Sequence, residues 1–265
     1  VAGTVVVVGA VKVALRKVNE LVTLPAERQR ASASMASWSG EIALMDLCFE
    51  YPGAGKCVLD AVSLNVEAGS RVAVFGDSGS GKSTLIKIIG GLLEPSSGQV
   101  RYGDLPSKLL APSQIRRTIA HAAQDGTLFR GTVLENLTVG RSLDFATVVK
   151  VARLCHVDSF VNELDESYDS EVQEQGKNFS RGQRQRLILC REVLRGTPLL
   201  ILDEATSALD EPTERSVFEA ILRYREGATT IFVTHNPNLL KFADRVVRVS
   251  AGRLFENAGL QQVAV

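Results

Sequence analysis

The chain has 265 residues, 45% of them hydrophobic and 23% charged, which suits one large α/β domain with a subdomain or two small domains. Lys+Arg and Asp+Glu both number 30, so no net field marks nucleic acid as a partner. Cys48, Cys57, Cys155 and Cys190 show no C-x-x-C spacing and there are 3 His, which argues against zinc and reads as reduced cytosolic thiols rather than a disulfide framework.

Val1 to Val11 is uncharged and valine-rich, but Lys12 ends the run, well short of the ~20 apolar residues a membrane span requires. No basic region precedes it, which argues against a signal peptide. Val11, Leu15, Val18 and Val22 then share one helix face. Thr23-Leu24-Pro25 closes that pattern, since the residue before proline leaves the α region. Residues 1–24 are expected to be the cytoplasmic end of a transmembrane helix, the alternative being an amphipathic helix packed on the same domain. Residues 26–40 are small, polar and aperiodic, a linker in which Trp38 is expected to patch a surface groove.

The domain proper is expected over 41–265. It opens on a strand, Glu41 to Glu50, turned by Tyr51-Pro52-Gly53, with a second strand candidate over Cys57 to Val66. The apolar run Val72-Ala73-Val74-Phe75 leads into Gly76-Asp77-Ser78-Gly79-Ser80-Gly81-Lys82-Ser83-Thr84, and Leu85, Ile88, Ile89, Leu92 and Leu93 follow at helical spacing. Strand, glycine loop and helix make this G-x-x-x-x-G-K-[ST] match a nucleotide phosphate loop. The glycines let backbone N–H groups approach phosphate oxygens, and the helix N-terminus adds unpaired N–H groups and a positive dipole end. Lys82 supplies a full charge for the β- and γ-phosphates, and the Ser83 hydroxyl a ligand for Mg²⁺. Pro95-Ser96-Ser97-Gly98 is a turn.

From Gln124 to Ser180 the pattern becomes helical with little strand signal, over Phe145 to Leu154 and Val157 to Leu164; a helical insertion is expected at about 126–185. Leu187, Cys190 and Leu194 mark a further helix face. Leu199-Leu200-Ile201-Leu202 is a continuous apolar run of the kind buried in a parallel sheet, as is Thr229 to Val233. Between them Val217, Phe218, Ile221 and Leu222 give an amphipathic helix begun by Pro212. Val246 to Val249 and Leu254 to Glu256 make a closing hairpin. Alternating strands and helices argue a mostly parallel α/β sheet.

Asp203-Glu204 falls at the carboxyl end of the 199–202 strand, where open α/β sheets bind ligands. Asp203 there can hold Mg²⁺ through water while Glu204 orients or deprotonates an attacking water.

With these residues together, the chain resembles the nucleotide-binding domain of an exporter-type ATP-binding cassette (ABC) transporter over roughly residues 41 to 256. Asn178-Phe179-Ser180-Arg181-Gly182-Gln183-Arg184-Gln185-Arg186 resembles the signature motif, usually LSGGQ. The resemblance implies that Ser180, Gly182 and Gln183 grip the γ-phosphate of ATP held by a partner subunit. Ser207-Ala208-Leu209-Asp210 looks like the D-loop, which places Asp210 at the same interface. His235 matches the switch histidine, Gln124 the Q-loop glutamine that reaches Mg²⁺, Tyr51 the adenine-stacking aromatic, and Glu174 the exporter-specific loop before the signature. Arg181 departs from the usual glycine, Phe179 from the leucine, and Asn236 from the arginine that usually follows the histidine. Asp77 puts a carboxylate inside the phosphate loop.

The resemblance implies a P-loop NTPase fold, with a mostly parallel core sheet, an antiparallel β subdomain and a helical subdomain. It also implies ATP and Mg²⁺ as cofactors and two domains closing head-to-tail on ATP. The expected partners are a second nucleotide-binding domain and the transmembrane domain of the exporter, at the cytoplasmic face of a membrane such as the bacterial inner membrane. A soluble ABC-class ATPase and an importer ATPase are the alternatives; the sequence shows neither the long coiled coil nor the tandem domain that the first requires. The run Gly176 to Ser180 is reminiscent of bacterial peptide exporters, with lipid and drug cargoes equally open.

Overall fold

The computed structural model describes residues 11–19, 22–23 and 33–256. The valine-rich start at 1–10, residues 20–21, the 24–32 stretch of helix end and linker, and the tail after Glu256 lie outside them. Two compact units divide the chain, 1–30 and 31–265. In the first, residues 11–19 are helical, with Val11, Val13, Leu15 and Val18 all exposed. Among the described residues no helix is long and apolar enough to cross a membrane.

In the second unit the elements run β1 (Ile42–Glu50), β2 (Cys57–Val66), β3 (Arg71–Phe75), α1 (Lys82–Ile89), β4 (Ser97–Tyr102), β5 (Leu105–Pro106), α2 (Pro112–Thr118), β6 (Ile119–Ala122), β7 (Gly131–Thr132), α3 (Val133–Thr138), α4 (Phe145–Leu154), α5 (Asp158–Val161), β8 (Glu171–Val172), α6 (Arg181–Val193), β9 (Leu199–Asp203), α7 (Glu211–Tyr224), β10 (Thr229–Val233), α8 (Pro237–Leu240), β11 (Arg245–Ser250) and β12 (Arg253–Glu256). A sheet of order β12-β11-β3-β10-β9-β6 forms the centre. Its pairs are parallel except β11 with β12. A second, antiparallel sheet has the order β2-β1-β4-β5.

The central sheet is apolar on both faces because each has its own cover. Val72, Val74, Leu199, Ile201, Ile231 and Val233 point into a core shared with α1 and the antiparallel sheet. Their neighbours Ala73, Leu200, Leu202 and Phe232 point the other way, into a core shared with α4, α6 and α7. Period-two alternation sends successive residues to opposite layers, so a strand buried twice reads as a continuous apolar run.

Three local expectations change. Trp38 is buried rather than a surface patch, at 7% exposure. Its Nε1 donates to the Glu41 carbonyl at 2.8 Å and its ring stands edge-on to Tyr102, centroids 5.6 Å apart, so the indole N–H is satisfied as burial requires. The insertion is not purely helical, since β7 and β8 pair within it; two-residue strands leave no period to read. The 157–164 helix shrinks to α5, which ends in a tighter turn where the Leu164 N–H donates to the Val161 carbonyl at 3.1 Å.

Candidate functional site

The carboxyl ends of β3, β6, β9 and β10 lie side by side and release four loops at one edge of the sheet. From β3 comes the phosphate loop. Gly76 and Gly81 hold φ of 147° and 112°. A Cβ on Gly76 would stand 2.1 Å from the Val249 carbonyl oxygen, and one on Gly81 3.0 Å from that of Val58. Only glycine fits both the left-handed backbone and the close strands. The α1 N-terminus carries no side-chain cap, so its first N–H groups remain available to an anion.

Lys82 curls back into the loop, donating from Nζ to the carbonyls of Gly76 at 2.7 Å and Asp77 at 2.9 Å. Burial lowers its pKa, opposed by the carboxylates of Glu204, Asp77 and Asp203. Two of three ammonium protons hold the loop, and the third is free for phosphate. Ser80 is buried and among the described residues its Oγ has no partner, while Asp77, Ser78 and Gly79 form the exposed loop rim. The Tyr51 hydroxyl lies 3.2 Å from Thr84 Oγ1, which sets this part-exposed ring beside α1.

From β9 comes Asp203, buried enough that desolvation raises its pKa, with Glu204 and Asp125 adding and Lys87 and Lys82 opposing. Among the described residues its carboxylate accepts no hydrogen bond; His121 Nε2 is nearest at 4.0 Å, beyond hydrogen-bond reach. A largely buried, unsatisfied carboxylate together with the Ser83 hydroxyl is a hard-oxygen donor set of the kind Mg²⁺ takes.

Glu204 follows in a left-handed conformation, φ 50°. Its Oε1 lies 2.8 Å from Nε2 of His235, and its Oε2 accepts from Gln124 Nε2 at 2.8 Å. Strand ends thus bring together three side chains, Gln124 after β6, Glu204 after β9 and His235 after β10, that are far apart in the chain. A carboxylate so held has fixed orientation and remains an acceptor, as a base for water must.

The remaining predicted residues stand apart from this cluster. Ser180 caps α6, its Oγ accepting from the Gln183 N–H at 3.2 Å, and the Ser180 N–H donates to Gln183 Oε1 at 2.8 Å, a reciprocal capping box. Asp210 caps α7 by accepting from the Thr213 N–H at 3.2 Å; hydrogen bonding from the Thr213 hydroxyl first, and from its N–H second, lowers the Asp210 pKa. Glu174 is exposed and opens a 3-10 turn that ends on the buried Gly176. No hydrogen bond or ion pair joins Ser180, Gly182, Gln183 or Asp210 to the phosphate loop among the described residues. Arg181 lines a cleft of about 370 Å³ with Gln124, Asp125, Lys177 and Arg184.

Sequence reasoning missed two supports. Gln185 on α6 donates from Nε2 to the Glu204 carbonyl at 2.7 Å and accepts from the Ala208 N–H at 2.9 Å. Glu214 on α7 accepts from the Thr206 hydroxyl at 2.8 Å and from Asn236 Nδ2 at 2.7 Å. Both are polar residues on an otherwise apolar helix face, at helical spacing from Leu189 and from Val217 and Phe218. That misfit was the available signal.

A glycine cradle feeding a helix, with a carboxylate pair on the next strand but one, defines a P-loop ATPase. The sequence model of the ABC transporter family matches residues 59–207. A lipid A-core flippase of Ralstonia nicotianae is 34% identical over 240 residues, 89% of this chain and 40% of that protein. A chloroplastic ABC transporter B family member of Arabidopsis thaliana is 38% identical over 223 residues, 82% of this chain and 35% of that protein. A bacterial Atm1-family ABC exporter solved with ATP bound superposes with a TM-score of 0.83 at 27% identity, covering 91% of this chain and 42% of that one. The chain therefore belongs to the ABC transporter family and is an ABC ATPase domain. It spans about two-fifths of the length of these relatives.

Proposed function

We propose that this domain binds Mg·ATP at the phosphate loop and hydrolyses it with Glu204 as the base, powering export across a membrane from its cytoplasmic face. The observation that carries the reading is the placement of Glu204, held at 2.8 Å on each side by Gln124 and His235 and directly after Asp203. The phosphate-loop N–H groups, Lys82 and Ser83 bind the triphosphate, and Tyr51 stacks on the adenine. Asp203, Ser83 and Gln124 hold the Mg²⁺, which when bound neutralises charge on the phosphate oxygens. Glu204 takes the proton from water while His235 and Gln124 fix its two oxygens.

Two copies assemble head-to-tail, so that Ser180, Gly182, Gln183 and Asp210 of one face the phosphate loop of the other. Their lack of any bond to their own phosphate loop, among the described residues, supports that arrangement. Residues 1–40 belong to the same reading as the end of a membrane helix and its linker, supported by the exposed apolar side chains of Val11, Val13, Leu15 and Val18. Calorimetry of ATP binding to wild type and Lys82→Ala tests the reading at its base. Lys82→Ala removes the only full positive charge of the loop and is expected to lose binding; equal affinity in the two proteins would overturn the assignment.

A further inference from the structure

Glu204 and His235 sit on different loops, and their 2.8 Å contact requires those loops to keep a fixed span. Glu204 is also in a left-handed conformation that a non-glycine residue keeps only where its surroundings hold it, at a cost of about 1–3 kcal/mol. On the core side of the same two loops lies a second bridge. Thr206, two residues after Glu204, is 5% exposed and donates from its hydroxyl to Glu214 Oε1 at 2.8 Å. Asn236, directly after His235, donates from Nδ2 to Glu214 Oε2 at 2.7 Å. Glu214 itself is 8% exposed.

The Asn236 amide cannot be turned around, because its Oδ1 accepts from the Asn238 N–H at 2.9 Å as the cap of α8. Both oxygens of a buried carboxylate are therefore satisfied by neutral donors, one from each loop. A buried carboxylate is costly unless so bonded, so the two donors and the acceptor fix one another's positions.

From this geometry we infer that Glu214 is a positioning residue for hydrolysis: its carboxylate ties Thr206 to Asn236 and so sets the distance between Glu204 and His235. The inference rests on the reading of Glu204 as the base. The bridge and the Glu204–His235 contact form a closed ring through the chain at 204–206 and 235–236. Loosening one side of the ring releases the other.

The test uses the 265-residue chain and measures ATP turnover, ATP affinity and melting temperature together. Asn236→Asp keeps the α8 cap, since aspartate caps as well as asparagine, but turns a second carboxylate oxygen against the Glu214 carboxylate. Turnover is expected to fall by about 10- to 10²-fold, the size of effect a displacement near 1 Å has on a reacting pair. ATP affinity should stay, because the phosphate loop makes no part of the bridge. The double variant Glu214→Gln with Asn236→Asp reverses the polarity: the introduced glutamine amide donates to the introduced aspartate, and its carbonyl accepts from Thr206. It is expected to recover most of the turnover.

A merely structural role would lower the melting temperature and leave turnover per folded molecule unchanged, and that result overturns the inference. So does a folded Asn236→Asp that turns over like wild type, or a double variant that regains stability without turnover. Should Asn236→Asp fail to fold, Thr206→Val removes the other donor with little change of shape. It must show the same loss of turnover at constant ATP affinity, or the inference falls. Glu204→Gln alongside separates the two layers. Wild-type turnover there overturns the base assignment and this inference with it, whereas a loss there with unchanged turnover in the bridge variants overturns this inference alone.

Discussion

Replacing Glu204 by glutamine changes one functional group of the site and isolates proton acceptance from everything else. In the native arrangement Oε1 faces His235 Nε2 and Oε2 faces Gln124 Nε2, each at 2.8 Å. Glutamine keeps one of these bonds through its carbonyl, but its NH₂ then opposes the other donor, so the side chain loses both its basicity and half of its anchoring. Positioned bases contribute about 10²–10⁴-fold, or roughly 3–5 kcal/mol of barrier at about 1.4 kcal/mol per tenfold, and turnover should drop by that factor. Binding should not. Neutralising Glu204 withdraws one of the carboxylates that raise the Lys82 pKa against its burial, but it also removes a negative charge that repels a polyphosphate, so ATP binding is kept. Less negative charge at an interface holding ATP also favours the closed pair of domains. Phosphate release and size-exclusion light scattering read the two effects separately: the variant should form dimers with ATP and monomers with ADP while releasing little phosphate. A Glu204→Gln protein that hydrolyses ATP at the wild-type rate would refute the reasoning and send the search for the base elsewhere.

His235→Ala should also slow turnover, since it removes one of the two groups fixing Glu204, but without the trapping of dimers that loss of the carboxylate charge brings; the same light-scattering comparison decides it. Arg181→Gly is expected to weaken ATP-driven dimerisation with a shallower salt dependence, because a guanidinium lining the cleft beside Gln124 is the charge added to this motif; an unchanged salt slope counts against a role in closure. Phe232→Ala removes a ring 1% exposed and 4.8 Å from that of Phe218 and should cost about 3–5 kcal/mol, seen as a lower denaturant midpoint at unchanged slope.

How far the sequence could be read follows from whether a feature is local. The β9 and β10 strands were legible because burial on both faces leaves an uninterrupted apolar run. β6 was not: Ile119, Ala120, His121 and Ala122 carry little hydrophobicity, and they become a strand by pairing in parallel with β9. β4 presents only Val100 and Tyr102 as buried residues and is recruited by β1. The phosphate loop is wholly local, so its chemistry was visible in one unbroken stretch from Gly76 to Thr84. The partners of Glu204 were visible only through resemblance, since Gln124 lies 80 residues away and nothing in its own neighbourhood distinguishes it. Glu214 carries a local misfit, a carboxylate on the apolar face of α7, but that misfit does not name its partners. Its function is the distance between two loops, which exists only once β9 and β10 are side by side.

The signature segment shows how a departure from the usual pattern can fall at 181 without disturbing the end of α6. Ser180 and Gln183 satisfy each other in the capping box, so the Gln183 N–H is already occupied. What the α6 N-terminus still offers an anion is the backbone N–H of Arg181 and of Gly182, together with the hydrogen of the Ser180 hydroxyl. None of these depends on the side chain at 181, which is exposed and can carry a guanidinium into the cleft without disturbing them. Position 182 lies closer to a neighbouring loop. A Cβ there would stand 3.4 Å from the Ala208 carbonyl oxygen, and Ala208 is the residue whose N–H Gln185 fixes while holding the Glu204 carbonyl. That distance is ordinary van der Waals contact, so a methyl group would fit at 182, and it is a longer side chain that would reach the 204–208 segment carrying Glu204.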